Sequence, residues 1–341
     1  MRYRTLGTTG TVVSTYCLGT MTFGAETDDD EAFAQLDLFV ERGGTFIDTA
    51  DVYSAGMSEQ IVGRWFAERP GIRDRVVLAT KGRFPMGPGA NDAGLSRTHL
   101  TRALEASLRR LEVETIDLYQ AHAWDPLTPI EETLRFFDDA VRAGKIRYVG
   151  VSNFTGWQLQ KAALIGRHLN LSPVVTLQPQ YNLLARDVEF ELVPVCEQEG
   201  IGILPWSPLG GGWLTGKYSR DSRPAGATRL GENPRRGMEA YDPRNRDERT
   251  WRVVDTVRDI AAERGVSMAA VALAWLVDRP AVTSVILGAR TLAQLEDNLT
   301  ATGLALDAKE RERLDEASAP VVADYPYGAP GREQRDRRVP G

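Results

Sequence analysis

Short, continuously apolar runs recur along the chain: "TFID" from Thr45, "RVVLAT" from Arg75, "IDLYQ" from Ile116, "IRYVGVS" from Ile146, "PVVTLQ" from Pro173, "GIGILPW" from Gly200 and "VTSVIL" from Val282. Each is unbroken rather than alternating, the pattern of a strand buried on both faces in a parallel sheet. Amphipathic stretches of helical period lie between them, as in Leu100, Leu104, Leu108 and Leu111, with Ser96 placed to cap the helix start. Thr128-Pro129-Ile130-Glu131 reads as a capping box with proline at the first helical position, and Thr155-x-x-Gln158 as a second box. With "STYCLGT" from Ser14 added, the strand candidates number eight. Eight strands alternating with helices predict an α/β fold of the closed (α/β)8 TIM barrel type, with an open doubly wound sheet as the alternative.

Two regions break the rhythm. Residues 217–247, after the seventh strand, are rich in Arg, Gly, Pro and Asn and predict a long mobile loop. Residues 320–341 are similarly rich in Pro, Gly and Arg, so the chain divides into a barrel over 1–319 and a C-terminal tail. Composition fits this picture: 341 residues with 42% hydrophobic and 26% charged describe an ordinary globular chain. The net charge of −6 gives no electrostatic reason to expect nucleic acid or an anionic membrane as partner. The N-terminus lacks an apolar signal core and no run reaches membrane-spanning length, so a cytoplasmic location is expected. Cys17 and Cys196 stand alone, and His99, His122 and His168 form no ligand spacing, which predicts metal-free chemistry.

Two phosphate motifs fail on inspection. Gly211-x-x-x-x-Gly216-Lys217 is followed by Tyr218, where a Walker loop requires Ser or Thr to reach magnesium. No G-x-G-x-x-G opens a helix after a strand, so a Rossmann site has no support. The polar residues that close the strands are more informative: Asp48 and Tyr53, Lys81, His122, Ser152 with Asn153, and Gln178. In a parallel barrel all strand C-termini open onto one face, so these distant residues would converge.

The set "FIDTADVYSAGMSEQIVGRWF", "LATKG", "DLYQAH", "VGVSNF", "QPQYNLL", "PWSPLGGGWLTGKY" and "LGARTLAQLEDNL" resembles the aldo-keto reductase superfamily, in family order from near residue 1 to about residue 319. The resemblance implies an NADPH-dependent carbonyl reductase of small-molecule substrates with a catalytic tetrad on Asp48, Tyr53, Lys81 and His122. Hydride addition to a carbonyl leaves an oxyanion that must be protonated, and a free phenol of pKa about 10 is poorly matched to neutral operation. Lys81 is expected to lower that pKa, Asp48 to hold the ammonium, and His122 to orient the substrate oxygen. Asp51 has no tetrad counterpart and is assigned to loop structure.

For the cofactor, the resemblance places Ser152, Asn153 and Gln178 on the nicotinamide carboxamide and Trp206 against its ring, with Gly19, Thr20, Met21 and Asp48 bordering the same cleft. Trp206 replaces the tyrosine or phenylalanine of many relatives but keeps the aromatic face. Ser207, Pro208, Leu209, Gly211 and Lys217 are implied around the pyrophosphate, and Gly288, Arg290, Gln294, Asp297 and Asn298 around the adenosine 2′-phosphate and adenine. Asp297 stands where a longer Glu is frequent. Thr291-x-x-Gln294 is also a good capping box. Phe23, Phe84 and Trp124 flank the motifs and suggest an apolar substrate pocket. A protein that keeps the cofactor site as a redox sensor or accessory subunit, with little turnover, is the alternative function.

Overall fold

The computed structural model describes residues 1–226, 228–233 and 239–335. A short antiparallel hairpin, β1 (Tyr3–Thr5) and β2 (Val12–Ser14), precedes eight parallel strands: β3 (Tyr16–Gly19), β4 (Phe46–Asp48), β5 (Val77–Gly82), β6 (Ile116–Ala121), β7 (Ile146–Ser152), β8 (Val174–Gln178), β9 (Gly202–Ile203) and β10 (Val285–Leu287). Their spatial order is β10-β3-β4-β5-β6-β7-β8-β9. The last gap is closed by hydrogen bonds from the Ile203 amide to the Ala281 carbonyl (2.8 Å) and from the Thr283 amide to the Ile203 carbonyl (2.9 Å). The sheet is therefore a barrel with every strand paired on both sides, as the alternation predicts.

Period-2 alternation sorts the side chains. Cys17, Phe46, Ala79, Leu118, Val175, Leu204 and Ile286 form the inner core, with Leu6 and Val13 of the hairpin packed onto it. Their neighbours, such as Leu18, Ile47, Leu78, Tyr119 and Leu287, face outward beneath the helices, and in β8 a register shift against β7 breaks the parity, so that Val175 joins the inner core and Leu177 the outer one. The same parity sets the next layer: Asp48 follows Phe46 by two, Lys81 follows Ala79, Gln120 follows Leu118, and Trp206 follows Leu204. Apolar residues thus fill the barrel and polar ones cap it at the strand C-termini. Gly150 leaves room for this layer, because a Cβ there would lie 2.4 Å from Thr176 Oγ1.

The helix starts differ in part from expectation. Ser96 caps the helix Arg97–Leu111 by accepting from the His99 amide. Thr128 forms no box, because its hydroxyl donates to the Asp125 carboxylate at 2.6 Å, a charged and therefore stronger acceptor. The insertion after the seventh strand is more structured than its composition predicts. It contains the turns of helix Arg229–Glu232 and Tyr241–Arg246, and Tyr241 is buried against Trp213 with stacked rings 5.6 Å apart. Helices of four to six residues are too short to leave a readable period. The tail likewise carries a helix, Ala329–Glu333, and stacks Tyr327 on Phe190 at 5.1 Å. No single helix among the described residues is long and apolar enough to cross a membrane.

Candidate active site

Lys81 is the centre of the polar layer. Fully buried, its Nζ donates to Asp48 Oδ2 at 2.5 Å, to the Thr49 carbonyl at 2.8 Å and to the Tyr53 hydroxyl at 3.3 Å. An ammonium has three protons, and all three are used. Asp48 is held in turn: its Oδ1 accepts from Gln120 Nε2 at 3.1 Å and from Gln178 Nε2 at 2.9 Å. Gln120 carries no family motif role in the sequence reading, yet it sits one strand over at the register position of Lys81.

Tyr53 reaches the layer from a turn rather than a strand. The turn Tyr53–Gly56 passes through left-handed backbone at Ser54 (φ 48°) and Ala55 (φ 53°), a conformation that costs non-glycine residues about 1 kcal/mol or more each. The Ser54 hydroxyl anchors it on the Phe23 carbonyl at 2.9 Å. The Tyr53 and His122 rings meet edge to face at 5.8 Å, and His122 meets Phe84 in the same way at 4.7 Å.

The electrostatics correct one expectation. Burial raises the Tyr53 pKa, and Lys81 opposes that rise without overcoming it. Burial also disfavours the Lys81 ammonium, but Asp48 and Tyr53 outweigh it and the net direction is upward. The pair is thus a neutral phenol beside a charged lysine, a proton donor with its proton in place. His122 is held neutral: burial lowers its pKa well below 6.5, with Lys81 and Arg83 adding to the effect, and its buried Nδ1 has no hydrogen-bond partner among the described residues.

Asp51 lies behind this layer. Its amide donates to the Lys81 carbonyl at 3.1 Å, which fits the loop role, but its carboxylate is fully buried with no side-chain hydrogen-bond partner among the described residues and only the Val52 amide opposing its burial from the backbone. Burial, with the nearby Glu59 adding, pushes its pKa up to about 7.

The residues expected around a nicotinamide lie at neighbouring strand ends. Ser152 Oγ donates to the Gln178 carbonyl at 2.8 Å, and Asn153, in left-handed backbone at φ 55°, donates from Nδ2 to the His122 carbonyl at 2.9 Å. Trp206 is partly buried and donates from Nε1 to Asn153 Oδ1 at 3.1 Å. Gly19 is bound to its size, since a Cβ would come within 2.6 Å of Ile286. Thr20 shares its hydroxyl with Ser58 at 2.7 Å, and Met21 is exposed. Phe84 and Trp124 are half-buried, whereas Phe23 is entirely inside the core and forms no pocket wall.

A second cluster surrounds Arg290. Ser207 to Gly212 form a tight turn with left-handed backbone at Ser207, Gly210, Gly211 and Gly212, while Pro208 is buried and Leu209 half-buried. Lys217 is exposed beyond it, its Cε close to where a Cβ on Gly212 would project. Arg290 makes a bidentate pair with Glu232 of the insertion, at 2.9 and 3.0 Å, and lies 3.4 Å from Glu26. Glu31 accepts from the Leu292 amide, the first of the helix Leu292–Leu299. Three carboxylates thus converge on one guanidinium and one helix N-terminus, so the donor set is built for anions. The phosphate oxygens of a dinucleotide would fit where these carboxylate oxygens stand. The capping box is half formed: Thr291 accepts from the Gln294 amide, but the Gln294 side chain bonds the Arg290 amide instead. Asn298 is buried and donates to the Gly288 carbonyl at 3.4 Å, which ties the helix to β10, and Asp297 is half-exposed.

Among the described residues no group of His, Cys, Asp or Glu could hold a metal ion. A family model described as the Aldo/keto reductase family matches residues 16–319. The oxidoreductase YrpG of Bacillus subtilis, itself uncharacterized, is 39% identical over 93% of this chain and 95% of its own length. A probable voltage-gated potassium channel subunit beta of Arabidopsis thaliana is 37% identical over 88% of this chain and 91% of its own. Norsolorinic acid reductase of Aspergillus flavus is 33% identical, covering 93% of this chain and 80% of its own.

Proposed function

The chain belongs to the aldo/keto reductase family, and on that premise we propose that it reduces an aldehyde or ketone to an alcohol with NADPH. The observation that carries this reading is the buried lysine whose three donors bind Asp48, Thr49 and Tyr53 together. NADPH, when bound, supplies the hydride that adds to the carbonyl carbon. The protein does the rest. Tyr53 donates its phenolic proton to the carbonyl oxygen as negative charge develops there. Lys81 stabilises the phenolate left behind, with Asp48 keeping the ammonium charged and aimed. Neutral His122 hydrogen-bonds the substrate oxygen and fixes its approach. Trp206, Ser152, Asn153 and Gln178 would hold the nicotinamide, and Arg290 the 2′-phosphate.

The relative named as a potassium channel subunit favours a second reading, a cofactor-binding accessory protein with little turnover. The intact proton-donor constellation argues for chemistry. A steady-state assay of NADPH oxidation against a panel of aldehydes and ketones separates the two. Turnover supports the reductase, and NADPH binding without turnover on any carbonyl supports the accessory role.

A further inference from the structure

Arg83 takes no part in the hydrogen bonds that tie Lys81, Asp48 and Tyr53 together. It follows Lys81 by two residues, so the pleat turns it to the inner side of the barrel, one layer nearer the mouth. The intervening Gly82 faces outward, where a Cβ would meet Tyr119 and Ala103. The ladder continues at this level, because the His122 amide donates to the Gly82 carbonyl at 3.2 Å. Arg83 and His122 therefore stand side by side on adjacent strand ends. The guanidinium lies 5.0 Å from the centre of the Phe84 ring, and Phe84 packs on His122. An unbroken line of contacts runs from Tyr53 through His122 and Phe84 to Arg83.

Among the described residues Arg83 has no paired carboxylate; it acts on Asp125 only at a distance, helping to hold that carboxyl below its ordinary range. No carboxylate there lies within ion-pair distance of it, and its side chain makes a single, long hydrogen bond to these residues, 3.3 Å from Nη2 to the Trp124 carbonyl. Its Nε is buried without a hydrogen-bond partner among the described residues. The nearest candidate, Asp125, is already committed: Oδ2 accepts from the Leu95 amide and the Thr128 hydroxyl, and Oδ1 from the Leu127 amide. Most other arginines lining the molecule are paired, as Arg73, Arg110, Arg186 and Arg290 are. A half-buried guanidinium with an unused donor is costly unless something fills it. Removed from bulk water and beside a substrate oxygen site, it is suited to a carboxylate or comparable anion.

We propose that Arg83 is a specificity residue that binds an anionic group on the substrate, so that the preferred substrates are carbonyl compounds bearing a carboxylate or similar anion. This rests on the carbonyl-reductase reading. The reacting carbonyl sits at Tyr53 and His122, the apolar connection lies along Phe84 and Trp124, and the anion ends at Arg83.

The test compares 4-oxobutanoate with its methyl ester, which keeps the aldehyde and removes the charge, at fixed ionic strength. For the wild type, kcat/KM for the acid should exceed that for the ester by roughly ten-fold or more, with the difference in KM. In Arg83→Gln and Arg83→Met the ratio should fall to about one, and Arg83→Lys should recover part of it. A wild-type ratio of one or less, or a ratio that survives both neutral substitutions, overturns the proposal. If no carbonyl is reduced, the reductase reading falls and calorimetry decides the anion site by itself. Benzoate binding more tightly than benzamide in the wild type but not in Arg83→Gln supports it, and equal binding in the wild type overturns it.

Discussion

The barrel mouth holds its charges in two different ways. Around Lys81 they stand on strand ends and one short turn, buried, with every ammonium proton assigned to a fixed acceptor. Around Arg290 they stand on a helix start and on the insertion, partly exposed, and the partners are carboxylates that a bound phosphate would have to displace. Breaking the buried Lys81–Asp48 pair would leave an uncompensated charge, a loss of about 3–5 kcal/mol, whereas exposed pairs are worth about 1 kcal/mol or less. On the proposed reading, the chemistry is preorganised by the sheet while the Arg290 cluster would take the cofactor through replaceable surface contacts. Electrostatic preorganisation must be present before the transition state forms, but a binding site can exchange one anion for another.

The largest effect should come from the rigid end. Tyr53→Phe keeps the ring and removes the proton donor, so steady-state carbonyl reduction should fall by about 10² to 10⁴-fold while NADPH affinity changes little. Next comes the exchangeable end. Arg290→Ala should weaken NADPH binding roughly ten- to hundred-fold and leave NADH nearly unaffected, as read by fluorescence titration of both cofactors. Glu232→Gln, which removes the competing carboxylate, should instead tighten NADPH by about two- to five-fold. Equal effects of these substitutions on NADPH and NADH would place the 2′-phosphate elsewhere.

Asp51 sharpens the comparison from the side of stability. Its folded pKa of about 7 lies above the ordinary 3.8, so the folded protein binds this proton more tightly than the unfolded chain. Stability should therefore fall as pH rises from about 4 to 7, and remain lower above that window. Asp51→Asn should flatten this slope and raise Tm at pH 8 by on the order of 5 °C, with little gain at pH 4. Thermal unfolding across that range reads both.

The strands were legible because they follow a local rule, whereas the tetrad came from the family resemblance of the motifs at their ends. Continuous apolar runs mark strands covered on both faces, and Asp48 and Lys81 stand out as the polar residues that close two of them. What escaped depends on partners distant in sequence. Gln120 supports Asp48 from 72 residues away, and Glu26 reaches Arg290 from 264 residues away. No periodicity encodes such pairs. The direction of the Tyr53 pKa was also missed, because neighbour identity alone predicts the pull of Lys81 but not the greater push of burial. Arg83 stands two residues past Lys81 at the same strand end. It went unread because an arginine in a strand-end run is most often a solvated charge, and its place beside His122 with a buried Nε lacking a partner among the described residues shows only in the fold.

The central claim is that this barrel mouth passes hydride and proton to a carbonyl, and isotope transfer tests it most directly. NADPH carrying deuterium at both C4 positions of the nicotinamide is incubated with the wild type and an aldehyde, and the product is examined by mass spectrometry. The account predicts an alcohol carrying deuterium on the former carbonyl carbon. An unlabelled alcohol, or bound NADPH with no alcohol from any carbonyl offered, would contradict it.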